Sequence, residues 1–393
     1  MTNVSVNYSD LQKYIGIASQ ISPKKHELEI ITYTKIRADK SGLHLESTHL
    51  TYSVLADIPA LVSDIQDELV FLIKTDVLVD CISSFNSEII DFLIDPETQQ
   101  VTIKANLSKA KLRINTDLTK DWKDLKNPDE TEIIAQAQVL GSDLAKANRL
   151  SQIAVGQPKV VVQPEFLNVC YTLKPQDNVI AVVSSDRYRL SLTTITANYT
   201  EGLTGENVVT EPANVLIQSK IAVLLGRLAD AQESVKVTFT RFEAWFELGN
   251  IKIYSQYVDG KYPDYMKIVP QSFACSLQVN RGDLLQAIKQ VFFLSRNQFN
   301  KDITFQVKPS DKKIVITSKA DALGESENEV NILEYEGDTT DWQQAFNATY
   351  FLDYLTLAED EVLVWDANPG KPSVLSGKDN KAQGLYLVCG LNR

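Results

Sequence analysis

The chain has little of what marks an enzyme or a membrane protein. No apolar run approaches the roughly 18 residues that a membrane-spanning helix needs. The opening stretch, MTNVSVNYSDLQ, is polar and carries no apolar signal segment, so a cytoplasmic protein is the expectation. Cysteine is sparse: Cys81, Cys170, Cys275 and Cys389 are scattered with no C-x-x-C pair, which argues against a zinc or redox motif and for buried thiols. Histidine is rarer still, and His26, His44 and His49 all lie in the first fifty residues. They form no H-x-x-x-H ligand pair and suggest no Ser-His-Asp arrangement. The phosphate-cradling patterns G-x-x-x-x-G-K and G-x-G-x-x-G are absent. No metal or cofactor is therefore expected. Positive charge is also short: 39 Lys and Arg stand against 51 Asp and Glu, for a net charge of −12. That balance counts against a simple nucleic-acid binder. An average can still hide one basic face under an acidic exterior.

What is present is a repeat. At 393 residues, 44% hydrophobic and 23% charged, the chain has the composition of an ordinary globular protein of two or three domains. The pattern V-x-x-[S/G]-D-L occurs at Val6–Leu11, Val139–Leu144 and Val279–Leu284. Its aspartates, Asp10, Asp143 and Asp283, are 133 and 140 residues apart, a whole-domain period. Each copy opens an amphipathic helix. The apolar positions are Leu11, Ile15, Ala18 and Ile21, then Leu144, Ala147, Leu150 and Ile153, then Leu284, Ala287, Ile288, Val291 and Leu294. Ser9 or Asp10 is placed to cap the first.

Each copy predicts a second helix, over Lys74–Phe85, Gln218–Ala229 and Asn347–Ala358. From the aspartate to the residue before that helix, the first and third copies each run 63 residues and the second runs 74. A loop around Asn198–Thr210 accounts for the excess, and a further loop is expected near Asp366–Gln383. Period-two segments at Val101–Ala105, Lys236–Thr240, Lys252–Ser255 and Lys313–Thr317 read as strands. Each copy is thus two helices against antiparallel sheet, an α+β unit. Joints near 130–138 and 270–278, with Pro128 and Pro270, divide the chain into 1–134, 135–270 and 271–393.

Cations recur at comparable places. The first helices carry Lys13, then Lys146 and Arg149, then Arg281 and Lys289. Just beyond them come Lys24, Lys25 and His26, then Lys159, then Arg296 and Lys301. Were the copies related by rotation, these charges would converge on one surface suited to a phosphate backbone and reading no bases.

Three segments in register with the repeat are more specific: VSSDRYRLS at 183–191, YVDGKYPDYMKIVP at 257–270 and FLSRNQF at 293–299. Together they resemble the bacterial sliding clamp family, the beta subunit of DNA polymerase III. Its members show T-D-G-H-R-L, V-D-G-x-F-P-D-Y-x-x-v-x-P and L-S-N-x-x-F in the same order. The resemblance spans the chain. It implies a head-to-tail homodimeric ring of three-domain subunits that encloses double-stranded DNA and slides, without catalysis of its own. The implied partners are a replicative DNA polymerase, a clamp loader and a second copy of the chain, with no membrane. The resemblance also implies a pocket for a short hydrophobic peptide. It would use Leu173, Ser185, Arg187, Tyr188, Arg189, Leu190, Pro263, Lys267 and Ile268, completed by Tyr350, Ser373, Leu387, Cys389 and Leu391. A subunit interface would join Leu112 and Ile114 of the first domain to Phe293 and Leu294 of the third. Two departures stand out. The family's Gly-His pair is Arg187-Tyr188 here, and its terminal Met-Pro-Met is Cys389-Gly390-Leu391. Both predict a narrowed pocket with a variant peptide preference. Two other readings use the same residues: a repeat-built protein scaffold that encloses no DNA, and a hydrolase with Asp186 or Asp264 as an acid.

Overall fold

A computed structural model describes residues 2–63, 65, 67–203, 207–320, 323–381 and 383–391. Among these lie six α-helices: α1 Tyr8–Ile21, α2 Thr75–Ser84, α3 Gly141–Gln152, α4 Ser219–Leu228, α5 Arg281–Ser295 and α6 Ala348–Leu357. They fall where the periodicity placed them. Each copy of V-x-x-[S/G]-D-L straddles a joint. Its valine ends a strand, Thr2–Asn7, Ile133–Leu140 or Cys275–Asn280, and its leucine is buried in the first turn of α1, α3 or α5. The stretch near 130–138, expected as a joint, is therefore largely strand.

The cap of α1 is neither Ser9 nor Asp10. Asn7 holds the extended conformation a cap requires, and its side chain accepts from Ser9 N at 2.9 Å. Asn280 caps α5 through Asp283 N at 3.1 Å, and Asn347 caps α6 through Thr349 N at 2.9 Å. The N-x-S/T triplets at Asn7 and Asn347 are thus helix starts, with the Ser9 and Thr349 hydroxyls bonded back to the capping amide.

Two compact units emerge. The first comprises 1–138, 200–208 and 232–256. It holds α1 packed on α2 and two antiparallel sheets. One sheet runs Ala60–Ser63, Thr2–Asn7, Ile89–Asp95, Gln100–Ala105, Ser108–Arg113. The other runs Ser234–Thr240, Glu243–Leu248, Ile251–Gln256, Tyr52–Ile58, Gly42–Thr48, Tyr33–Asp39, Leu69–Lys74. Tyr14 of α1 is fully buried between them, its hydroxyl 2.9 Å from Ser47 Oγ.

The second unit comprises 139–199, 209–231 and 257–393. Here α3 packs on α4 and α5 on α6. A long antiparallel sheet runs Ala213–Ile217, Val169–Lys174, Val179–Ser185, Arg189–Tyr199, Gly384–Val388, Ser373–Gly377, Val362–Ala367, Cys275–Asn280 and the second half of Gly324–Gly337. The first half of that last strand continues a further sheet with Lys313–Ala320, Asp302–Lys308 and Trp342–Asn347. Phe305, Phe346, Phe351 and Trp365 interlock at the centre of its core, with ring centroids 4.9 to 6.0 Å apart.

Sheet continuity explains why compactness and repeat do not share borders. Strand 251–256 pairs with 52–58, and strand 189–199 pairs with 384–388, so each sheet crosses from one sequence copy into the next. The segment near Asp366–Gln383 is not simply a loop, since Ser373–Gly377 is a buried strand within it. Of Asn198–Thr210, positions 204–206 lie outside the described residues.

Candidate functional site

The VSSDRYRLS segment forms a hairpin between strands 179–185 and 189–199. Asp186 organises it. One carboxylate oxygen accepts from Tyr188 N and Arg189 N, each at 3.0 Å, and the other from Arg189 Nε at 2.9 Å. Ser185 Oγ donates to Arg189 O at 2.8 Å and accepts from Arg187 N at 3.1 Å. Arg187 takes φ +79°, the left-handed region that the family's glycine enters without strain.

Arg189 reaches from this turn to α6. Its Nη1 donates to Asp353 Oδ2 at 2.6 Å, and the guanidinium lies 4.4 Å from the Tyr350 ring centroid. Burial pushes the Tyr350 hydroxyl up to about 12, with Asp186 adding to the rise, so this phenol stays neutral. Pairing of Arg189 with Val388 and Leu190 with Leu387 brings the C-terminal strand alongside, and Cys389 N donates to Tyr188 O at 2.8 Å. Leu391 N bonds Ala345 O at 2.8 Å, fastening the tail. Burial raises the Cys389 thiol, keeping it protonated and unreactive.

Depth sorts the expected pocket residues. Leu173, Leu190, Ser373 and Leu387 are fully buried and Ser185 nearly so, with Leu190 and Leu387 in one cluster with Val374, Tyr262 and Tyr265. Arg187, Tyr188, Lys267 and Ile268 are exposed at the surface, while Pro263, Arg189, Tyr350, Cys389 and Leu391 are half-buried. Lys267 pairs with Asp264 at 3.1 Å. Both aspartates weighed as acids thus serve local structure, Asp186 as a turn anchor and Asp264 as an ion-pair partner.

The cations fall into two groups. Lys13, Lys24, Lys25, Lys159, Lys289 and Arg296 are exposed, Lys13 lying 3.9 Å from Asp10, and Lys301 is half-buried with φ +49°. The rest are engaged. Lys146 pairs with Glu359 at 2.9 Å, and Arg149 with Asp230 at 3.6 Å and the Gly226 carbonyl at 3.1 Å. Arg281 donates to the carbonyls of Leu355 at 2.9 Å and Asp360 at 3.2 Å, capping the end of α6. One cation was missed: Arg227, exposed in the last turn of α4, lines an open groove with Arg149, Gln152, Val223 and Leu357. It lies on the second helix of its copy, and the matching helices α2 and α6 carry no cation, so no recurrence marks it. Of the expected interface residues, Phe293 is 56% exposed, Leu112 half-buried, and Ile114 and Leu294 only 5% exposed.

Comparison with known proteins places this geometry. Residues 145–264 match the central domain of the DNA polymerase III beta subunit, and residues 266–387 match its C-terminal domain. A beta sliding clamp of Staphylococcus epidermidis is 28% identical over 207 residues, 52% of each chain. The aligned stretch spans about half the length of such curated relatives. Over the whole chain the fold superposes on the DNA polymerase sliding clamp of Bacillus subtilis, TM-score 0.86, 19% identity, covering 100% of this chain and 99% of that one. It likewise superposes on the beta subunit of Thermotoga maritima, TM-score 0.83, 21% identity, covering all of both. The chain belongs to the DNA polymerase III beta subunit family.

Proposed function

We propose that the protein is a DNA sliding clamp. Two copies close head to tail into a ring, duplex DNA passes through it, and partners dock by a short hydrophobic peptide. Three domains, 1–134, 135–270 and 271–393, repeat within each subunit, and no chemistry is performed. The observation that carries this is the threefold strand-to-helix unit with a helix pair in each copy, in a chain whose whole length superposes on clamps. Retention comes from enclosure. A ring needs only a few exchangeable phosphate contacts, and an acidic exterior discourages binding outside it. Lys13, Lys24, Lys25, Lys159, Lys289, Arg296 and Lys301 supply such contacts, with Arg227 added and Lys146, Arg149 and Arg281 contributing field from within their own pairs. The replicative polymerase and clamp loader use the surface around Tyr188, Arg189, Pro263, Ile268 and Tyr350. Work on duplex DNA sets its place in the cytoplasm.

Ring closure is supported by two strand edges of opposite charge. Ser108–Arg113 ends its sheet and exposes Lys109, Lys111 and Arg113 on one face. Gly324–Gly337 exposes Glu325, Glu327 and Glu329. Lys319 and Lys313 already pair with Glu325 and Glu329, which leaves Glu327 the stronger attractor. Opposed edges of this kind set register and partner between copies.

Loading onto nicked circular DNA tests the reading. Protein loaded by its loader is expected to survive salt that strips freshly mixed protein, and to leave when the circle is cut. Equal salt-sensitivity of the two populations sinks the clamp and favours a scaffold.

A further inference from the structure

Within the second unit, α3 and the end of α6 meet over strands 189–199 and 384–388 and leave a partly enclosed cavity between them. It offers about 80 Å³ to the centres of water-sized groups. Each such group needs about 10–15 Å³, so the cavity takes about six non-hydrogen atoms. Leu150 of α3 and Ala358, which ends α6, supply apolar wall. Tyr354 is the informative lining residue. It is 8% exposed, and its ring lies flat on Tyr386 with centroids 4.8 Å apart. The ring is thus held, yet the hydroxyl has no hydrogen-bond partner among the described residues. A phenol at this depth ordinarily bonds something. Burial, with Asp360 adding to the shift, keeps it protonated.

The cavity also has charge of one sign to spare. Asp143, Glu359 and Asp360 line it against Lys146 alone, and the Lys146 ammonium is committed to Glu359 at 2.9 Å. Arg281 reaches Asp360 only at its backbone carbonyl, 3.2 Å away. The Asp360 carboxylate accepts from Asn380 Nδ2 at 3.0 Å and rests against Gly377, where a Cβ would overlap it. It has no cationic partner among the described residues, and neither has Asp143 beyond the N-terminal turn of α3 that it occupies.

We propose that this cavity binds the protonated end of a small aliphatic amine, the ammonium donating to the Asp360 carboxylate and to the Tyr354 hydroxyl oxygen. An ammonium brings three donors and no acceptor, which suits a carboxylate beside a free phenol oxygen. Its alkyl stem suits Leu150 and Ala358. An anion would meet Asp143 and Asp360 with no cation free to hold it, and a neutral alcohol would leave Asp360 without countercharge. The site shares no residue with the expected peptide pocket and does not depend on the clamp reading.

The test uses the full chain with labelled methyl groups, putrescine as the probe and butanediol as its neutral isostere. Salt at about 0.15 M screens loose contacts with the acidic surface. Putrescine is expected to shift the Leu150 and Ala358 methyl resonances, and butanediol to bind at least about tenfold more weakly. Asp360→Asn, an isosteric change, is expected to remove the preference for the amine. Tyr354→Phe keeps the ring on Tyr386 and deletes only the free hydroxyl. It is expected to melt like wild type and to weaken putrescine about threefold or more. Equal binding of the two probes, or binding unchanged in Asp360→Asn or in Tyr354→Phe, overturns the proposal. So does an absence of binding, or a titration that moves other acidic surfaces and leaves those two methyls still.

Discussion

Arg189 and Asp353 are joined at 2.6 Å, and that contact ties the 185–190 turn to α6. The guanidinium is 11% exposed and its two carboxylates, Asp186 and Asp353, are 14% and 42% exposed. Asp186 holds the turn by its backbone and Asp353 belongs to the helix, so one side chain sets the distance between them. The same guanidinium lines the open groove of α3, α4 and α6. The 185–190 turn and the helix groove therefore share a residue.

Arg189→Met is expected to lower unfolding stability by about 2–3 kcal/mol. It strands Asp186 in a largely buried turn while Asp353 recovers part of its solvation. Arg189→Lys keeps the charge but loses the planar fork and the stacking on Tyr350, and is expected to recover less than half of the loss. Urea unfolding of the two variants measures both. Equal stability of wild type and Arg189→Met refutes the role.

Arg187→Gly is expected to stabilise the chain. At φ +79° an L side chain is strained by about 1–2 kcal/mol, and glycine relieves this at an entropic cost of about 0.5–1 kcal/mol. A net gain of about 0.5–1 kcal/mol in unfolding free energy follows, read as a raised denaturation midpoint. The same change removes an exposed side chain beside Tyr188, so a polymerase-derived peptide is expected to bind more tightly. Unchanged peptide affinity would separate strain from access.

Much of this was legible from residue order, and what was not has physical causes. Helix positions followed from apolar spacing because local periodicity fixes which face is buried. The cap shifted from Ser9 to Asn7 because capping depends on the backbone conformation of a single residue. Strand 251–256 beside 52–58 was invisible, since pairing across about 200 residues leaves no mark in either segment. Glu46 sits at an alternating position that reads as solvent-facing; the distant segment of Trp122 and Leu125 hydrogen-bonds it, and it is buried. Arg281 spends its donors on carbonyls at the end of α6, a contact between distant segments that no local pattern shows.

Stability should depend on pH through Glu46. Its folded value, about 7, lies above the ordinary 4.5, so the unfolded chain releases this proton first. Between those values the folded state binds more protons, and stability falls as pH rises. Below about 4.5 wild type and Glu46→Gln are expected to differ by a constant. Between about 4.5 and 7 the variant gains, by about 3 kcal/mol in total, and above 7 the gap is constant again. Paired thermal melts across pH 4 to 8 check the sign, and a gap that shrinks with rising pH overturns the assignment.

The last prediction separates interface from core in α5. Phe293 and Leu294 are neighbours that the helix sends in different directions: Phe293 is 56% exposed and Leu294 is 5% exposed, packed with the core of the second unit. Leu294→Ala removes buried methyl groups and is expected to cost about 2–4 kcal/mol of folding stability, whatever it does to assembly. Phe293→Ala touches little in the free subunit. Its unfolding free energy is expected to stay within about 0.5 kcal/mol of wild type. An exposed aromatic beside a charged strand edge is, however, the kind of anchor on which subunit contacts depend. Sedimentation equilibrium should therefore show Phe293→Ala dissociating at concentrations at least tenfold higher than wild type, a loss of about 1.4 kcal/mol or more. Reversing Glu327 to Lys should weaken the dimer in low salt and much less in high salt, because rim charges act through a screened field. A Phe293→Ala protein that sediments like wild type would move the subunit contact away from α5 altogether.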